Sequence, residues 1–149
     1  MSEIIIYTDG GCRGNQNKEN IGGWGVVLEY NGNIKELYEG ERNTTNNKME
    51  LTGVIRALEA LKTTNLPVKL HADSSYVINN ANKYMEGWKR KGWRKSDGKI
   101  VENVELWKRL YDLIKMQDDL ELIKVKGHAD NEGNNRADEL ANIAMDEVE

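Results

Sequence analysis

Ile4-Ile5-Ile6-Tyr7-Thr8-Asp9-Gly10-Gly11 is the stretch on which the fold turns. Four consecutive apolar side chains read as a strand covered on both faces, and the strand runs straight into an acid. A lone carboxylate at the edge of an apolar run is costly to bury unless something compensates its charge. Three more acids share that setting: Glu50 in Asn46-Asn47-Lys48-Met49-Glu50-Leu51, Asp73 in His71-Ala72-Asp73-Ser74, and Asp138 in Asn135-Arg136-Ala137-Asp138-Glu139-Leu140. A divalent metal is the simplest compensator for all four.

Outward from the first strand, the hydrophobic period changes in an informative order. Trp24 to Tyr30 and Ile34 to Tyr38 are strand candidates, and Asn31-Gly32 between them signals a two-residue hairpin turn. The chain is therefore expected to open as an antiparallel meander. Leu51, Val54, Ile55, Leu58 and Leu61 then recur at helical spacing behind the polar run 43–47, which supplies an N-cap. Asn47 and Glu50 have the spacing of a capping box, the bland explanation for Glu50. Past Pro67, Val68 to Asp73 reads as a strand and Ser74 to Tyr84 as a second helix. Leu106, Trp107, Leu110, Leu113 and Ile114 predict a third helix, Glu121 to Lys126 a fifth strand, and Ala137 to Val148 a last helix.

The expected order is β-β-β-α-β-α-loop-α-β-α, an α/β fold on a five-stranded mixed sheet. If the first and fourth strands are parallel neighbours, Asp9 and Asp73 leave the sheet at the carboxyl ends, where α/β sheets form crevices. Glu50 would enter from the first turn of the following helix. Asp138 shares a helix face with Asn134, Ala141 and Met145, so it points toward the protein.

Four oxygen-donor acids at one mouth suit Mg²⁺ or Mn²⁺, and not zinc. Two such cations activate water and stabilise the leaving oxygen of an in-line attack on phosphorus, so phosphodiester hydrolysis is the matching reaction.

At 149 residues the chain fits a single domain, 1–149, with no repeat or linker. Its apolar runs fall short of a membrane span and Met1-Ser2-Glu3 is not a secretory start, so a soluble, cytoplasmic protein without membrane partners is expected. Nothing in the patterning demands a partner chain, and a monomer is expected. The one cysteine, Cys12, has no internal partner and no base apparent beside it, which reads as an inert thiol.

The formal net charge of −4 would not mark a nucleic-acid binder. Its distribution does. Trp88-Lys89-Arg90-Lys91-Gly92-Trp93-Arg94-Lys95-Ser96-Asp97-Gly98-Lys99 concentrates cations and two indoles in a glycine-punctuated, protruding handle at about 86–99. Such a segment can follow a phosphate backbone while aromatic faces pack on sugars or bases. Alone it also reads as a solvated basic loop with its tryptophans turned inward.

Together, Tyr7-Thr8-Asp9-Gly10, Thr44 to Leu51, Ala72-Asp73-Ser74, Val125-Lys126-Gly127-His128-Ala129 and Asn134 to Ala141 resemble ribonuclease H of type 1 along the whole chain. The resemblance implies a ribonuclease H-like fold and an endonuclease cutting the RNA strand of an RNA/DNA hybrid, leaving 3′-hydroxyl and 5′-phosphate ends. It implies that Asp9, Glu50, Asp73 and Asp138 form the catalytic, metal-holding set. It implies that His128, between Gly127 and Gly133, helps proton movement or product departure, a task that suits imidazole.

For the substrate, the resemblance puts Asn15, Asn46 and Asn47 in the hybrid's shallow groove, where 2′-hydroxyls distinguish the RNA strand. Cys12 is expected at the same rim, and Asn134 and Ser75 among the substrate contacts. Thr45 and Asn103 match a pocket gripping a DNA phosphate. Trp88 and Trp93, with Lys89, Arg90, Lys91, Arg94 and Lys95, would follow the DNA strand. Three departures stand out. Ser75 replaces a common glutamine, Asn43 a common basic residue that Arg42 would replace only from the other face, and Asn17-Lys18-Glu19-Asn20 a Pro/Gly-rich stretch. Two rivals remain: another metal-dependent nuclease or strand-transfer enzyme on this scaffold, which would share Asp9 and Asp73 but would not require Asn46-Asn47 or Gly127-His128-Ala129, and a non-catalytic hybrid binder, which would be expected to have lost at least one of the acids, all of which are present.

Overall fold

The computed structural model describes residues 2–14, 19–126 and 131–149. The element order is β1 (Ile4–Arg13), β2 (Ile21–Tyr30), β3 (Asn33–Arg42), α1 (Asn46–Glu59), β4 (Val68–Ala72), α2 (Ser75–Lys83), α3 (Met85–Arg90), α4 (Val104–Met116), β5 (Leu120–Lys124) and α5 (Glu132–Val148). The strands form one five-stranded sheet in the order β3-β2-β1-β4-β5. β1 pairs antiparallel with β2 and parallel with β4, so the apolar run Ile4–Tyr7 lies at the centre of the sheet. The expected meander is present, and Asn31 and Gly32 both take the positive φ (51° and 82°) that a two-residue hairpin turn requires.

Alternation along β1 divides its side chains between two layers. Ile4 and Ile6 join Val54, Leu58, Val77, Trp107 and Leu110 in the main core, on the face covered by α1, against which α4 packs. Tyr7 faces the other way, toward Val27, Ala137 and Leu140 beneath α5. A floor of glycines lets α5 lie directly on the sheet. A Cβ at Gly25 would sit 2.3 Å from the Ala137 carbonyl oxygen, one at Gly23 2.6 Å from that of Ala141, and one at Gly40 2.5 Å from that of Ala144. Gly23 and Gly40 are paired in the β2–β3 ladder, so the floor spans two strands.

Several boundaries differ from the expectations. β3 runs to Arg42 instead of Tyr38, because its ladder with β2 continues to Ile21↔Arg42. β5 is Leu120–Lys124, its start set where Val68 N–H donates to the Asp119 carbonyl. Inside the expected loop the chain makes the short helix α3, continuing from α2 through Tyr84. Beyond it, Trp93 adopts a positive φ of 66° and its N–H donates to the Trp88 carbonyl. A tight turn closes where Lys95 N–H donates to the Lys99 carbonyl and Gly98 N–H to that of Lys95. Among the described residues, no helix is long and apolar enough to cross a membrane.

Candidate active site

The parallel register Thr8↔Ala72 sets Asp9 and Asp73 side by side where β4 ends. Asp73 leaves the sheet there as expected, whereas β1 runs on to Arg13, so Asp9 lies within its strand opposite Gly25 of β2. Glu50 arrives from α1. The capping-box explanation for it fails: the N-cap is Thr45, whose Oγ1 accepts from Lys48 N–H at 3.1 Å, and Glu50 is the fifth residue of the helix, two residues further in than that box would put it. Its position is set by close packing of main chains, because a Cβ at Gly10 would lie 2.6 Å from the carbonyl carbon of Met49 and 2.7 Å from Glu50 N. Only glycine admits α1 at that distance from β1.

Asp9, Glu50 and Asp73 each bring a carboxylate oxygen to a common point, all within 4.8 Å of one another. Asp9 is 9 % exposed, and Glu50 and Asp73 are half-buried. Burial pushes the Asp9 carboxyl up to about 8, aided by a hydrogen bond with Asp138 and the charge of Asp73, against the Gly10 N–H that favours the anion. Burial likewise pushes Glu50 up to about 9, with Asp9 and Asp73 adding repulsion. One oxygen of Glu50, Oε2, is buried without a hydrogen-bond partner among the described residues. Asp138 is exposed on α5 and joins the group through Asp9, outside the tight triad.

Among the described residues, no Lys or Arg forms an ion pair with any of these four acids. Like charges held so closely in a half-dry mouth need protons or a cation. An orphaned carboxylate oxygen beside two more hard donors fits a divalent ion of the Mg²⁺ or Mn²⁺ type.

Of the expected substrate residues, Asn15 and His128 lie outside the described residues. Thr45 and Asn46 are exposed and Asn47 half-buried at the start of α1, with Asn46 Oδ1 close to Gly11 on the β1 rim. Cys12 is half-buried on that rim, its thiol pushed up by burial and by Glu41. Ser75 is exposed at the first residue of α2. Asn134 is 3 % exposed, and its Oδ1 finds no hydrogen-bond partner among the described residues. Arg42 donates to the Val148 carbonyl at 2.5 Å, so it is engaged at the far end of α5 and does not substitute at Asn43.

The handle presents Lys89, Arg90, Lys91, Arg94 and Lys95 to solvent. Its two indoles part company. Trp88 is half-buried, edge-on to Trp107 at 5.4 Å, whereas Trp93 is 7 % exposed and packs edge-on against Tyr111 at 5.8 Å. The positive φ at Trp93 swings its ring beneath the handle, so the expected pair of accessible indoles is reduced to Trp88.

Three contributors escaped the sequence reading. Tyr84 stacks on Trp88 at 6.4 Å and, with Lys83 and Asn80, lines a groove of about 460 Å³ with Arg90, Lys91, Arg94 and Lys95. The i, i+4 spacing of Tyr84 and Trp88 was a usable signal. Tyr76 Oη accepts from Trp107 Nε1 and Asn103 Nδ2, both at 3.1 Å, tying the expected phosphate-pocket residue to the core. Arg136 forks onto Glu36 at 2.6 and 3.0 Å, pinning α5 to the edge strand two residues before Asp138. The last two are long-range contacts with no local pattern.

A family model described as RNase H matches residues 1–146. A ribonuclease H of Ruthia magnifica subsp. Calyptogena magnifica is 47 % identical over 148 residues, covering 99 % of each chain. LC9-RNase H1, described as a type 1 RNase H with the type 2 active-site motif, superposes with a TM-score of 0.84 at 32 % identity, over 97 % of this chain and 72 % of that one. LC11-RNase H1, solved in complex with an RNA/DNA hybrid, gives a TM-score of 0.72 at 30 % identity, over 98 % and 99 % of the two chains. With its mixed sheet and its carboxylates at one mouth, the chain belongs to the RNase H family.

Proposed function

We propose that this chain is an endonuclease that hydrolyses the RNA strand of RNA/DNA hybrids, leaving 3′-hydroxyl and 5′-phosphate ends, and that it works as a single-domain monomer in the cytoplasm. The observation that carries the reading is the carboxylate triad within 4.8 Å, with a buried unpartnered oxygen, in a chain whose relatives are ribonucleases H. Asp9, Glu50 and Asp73 would hold a divalent cation pair, with Asp138 completing the set from α5. Such a pair, when bound, supplies the Lewis acidity and charge neutralisation that in-line phosphodiester hydrolysis needs.

The chain's own residues supply the rest. Asp9 and Glu50 turn their carboxyl oxygens into a site that excludes much of the water, and Asp138 meets the Asp9 carboxyl from α5. Asn46, Asn47, Cys12 and Asn15 face the RNA strand, Thr45 and Asn103 take a DNA phosphate, and Asn134 and Ser75 border the scissile region. Trp88 and the cations from Lys89 to Lys95 follow the DNA strand by charge and stacking, without reading bases. His128 assists proton movement.

The test is a gel assay on matched RNA/DNA, RNA/RNA and DNA/DNA duplexes across Mg²⁺ and Mn²⁺ concentrations. Cleavage confined to the RNA strand of the hybrid and abolished by chelator is expected. A sample inert toward hybrids in every divalent salt, or one that cuts DNA duplexes equally well, sinks the reading.

A further inference from the structure

Within the departure at 17–20, Asn20 makes three hydrogen bonds to one short stretch of main chain. Its Nδ2 donates to the Thr44 carbonyl at 2.7 Å, and its Oδ1 accepts from Thr44 N–H at 2.9 Å. Its own carbonyl accepts from Asn43 N–H, also at 2.9 Å. The side chain thus adds a rung like that of a β-ladder where the sheet has ended. Thr44 is 4 % exposed, so little water is at hand to replace those bonds.

That rung lies at a bend. Asn43 takes a φ of 55°, turning the chain out of β3, and two residues later Thr45 caps α1. Asn46 and Asn47 follow as the first two helical residues. Glu50 has an anchor of its own, the main-chain contact of Met49 and Glu50 with Gly10. Two anchors therefore hold α1: Gly10 fixes the carboxylate, and Asn20 fixes the bend and first turn ahead of it.

We infer that Asn20 is a positioning residue that aims Thr45, Asn46 and Asn47 at the hybrid backbone, separately from the placement of the carboxylates. The inference rests on the reading that those three residues contact the hybrid. Only a head group that donates and accepts at this reach satisfies Thr44 from both sides. Alanine does neither. An ionised aspartate turns an acceptor toward the Thr44 carbonyl, whereas a protonated one restores the pair.

The experiment compares wild type, Asn20→Ala and Asn20→Asp by steady-state kinetics at pH 8 in Mg²⁺, and by equilibrium binding of a labelled hybrid in chelator between pH 4.5 and 8. At pH 8, Asn20→Ala is expected to raise KM by about 5–10-fold, the weight of one or two hydrogen bonds, with kcat within about twofold. Asn20→Asp binds more weakly than Asn20→Ala at pH 8, and its deficit relative to wild type shrinks as pH falls. Unchanged KM and affinity with only a lowered Tm would show a purely structural role and overturn the inference. So would a kcat that falls with KM unmoved, or an aspartate deficit indifferent to pH. Wild-type protein that ignores hybrids overturns the functional reading itself, and this inference with it.

Discussion

The acidic mouth and the basic handle are built by opposite means. The mouth draws Asp9, Glu50, Asp73 and Asp138 from β1, α1, the turn after β4 and α5, up to 129 residues apart, and holds them by main-chain contacts that glycines permit at Gly10, Gly23 and Gly25. The handle takes nearly all its residues from one local stretch, propped by turn hydrogen bonds and by a buried Trp93. Burial raises the acids at the first site. At the second the cations stay in water, and residues 83–99 carry seven of them against Glu86 and Asp97, so the rest of the chain bears all the negative excess. In the proposed function, chemistry would depend on long-range packing, and grip on local composition. A substitution in one region should therefore leave the other region's signature intact.

The largest effect is expected from Asp9→Asn, which keeps the shape of the mouth and removes one ligand charge. Turnover should fall by about 10³-fold or more, equivalent to about 4 kcal/mol of transition-state stabilisation, while hybrid affinity stays within a few-fold. Single-turnover cleavage and equilibrium binding on the same sample measure the two. Near-normal cleavage would remove Asp9 from the chemistry.

Stability should report the mouth next. Asp9 and Glu50 ordinarily ionise near 3.8 and 4.5, and in the folded chain near 8 and 9. Between those limits the folded state binds more protons than the unfolded one, so the metal-free protein loses stability as pH rises from about 4 to about 9. A cation takes the deprotonated acids, so its stabilisation grows over the same window. At a hundredfold excess over Kd the gain is about 2.7 kcal/mol, or about 5–10 °C in Tm for a chain of this size. Calorimetry with and without Mg²⁺ should show that gain at pH 8.5 and little of it at pH 5. A Mg²⁺ shift independent of pH would detach the metal from these acids.

The same contrast explains what the sequence disclosed. The strand Ile4–Tyr7, the turn at Asn31-Gly32 and the α5 stripe are periodic signals, and each folds as its pattern dictates. The meeting of Asp9 with Asp73 followed from parallel neighbours in a crossover topology. What stayed hidden was set by tertiary contacts. Thr45 displaced Asn47 as the helix cap because Asn20 bonds the main chain just before it. α3 formed where glycines and cations suggested a loop, because Met85 finds room in the core. Trp93 turned inward because a positive φ, invisible in composition, redirected its ring.

Of intermediate size is the joint replacement of Lys89, Arg90, Lys91, Arg94 and Lys95 by alanine. KM should rise about 10–30-fold with kcat within about twofold. The log–log salt slope should become shallower by about 0.9 for each phosphate contact removed, if the duplex behaves as B-DNA does. Assays from low to moderate salt separate these outcomes from the Asp9 variant, whose salt slope should match wild type. An unchanged slope in the alanine variant would mean that the handle touches no phosphate.

The smallest effect divides the handle itself. Tyr84 is 55 % exposed and stacks on Trp88 within 23° of parallel, so it extends the aromatic floor of a groove whose other lining includes five cations and the single acid Glu86. Stacking on a base or sugar is uncharged, and an aromatic face is worth about 1–3 kcal/mol per stacked base, less for a ring that lends support at a groove edge. Tyr84→Ala should accordingly raise KM about 3–5-fold without altering the salt slope, and Tyr84→Phe should behave as wild type. Its neighbour Lys83, in the same groove, carries charge and no ring. Lys83→Ala should lower the slope by about 0.9, with a KM effect that vanishes as salt rises. If both alanine variants shift the slope equally, Tyr84 acts only by placing the cations around it, and the handle grips through charge alone.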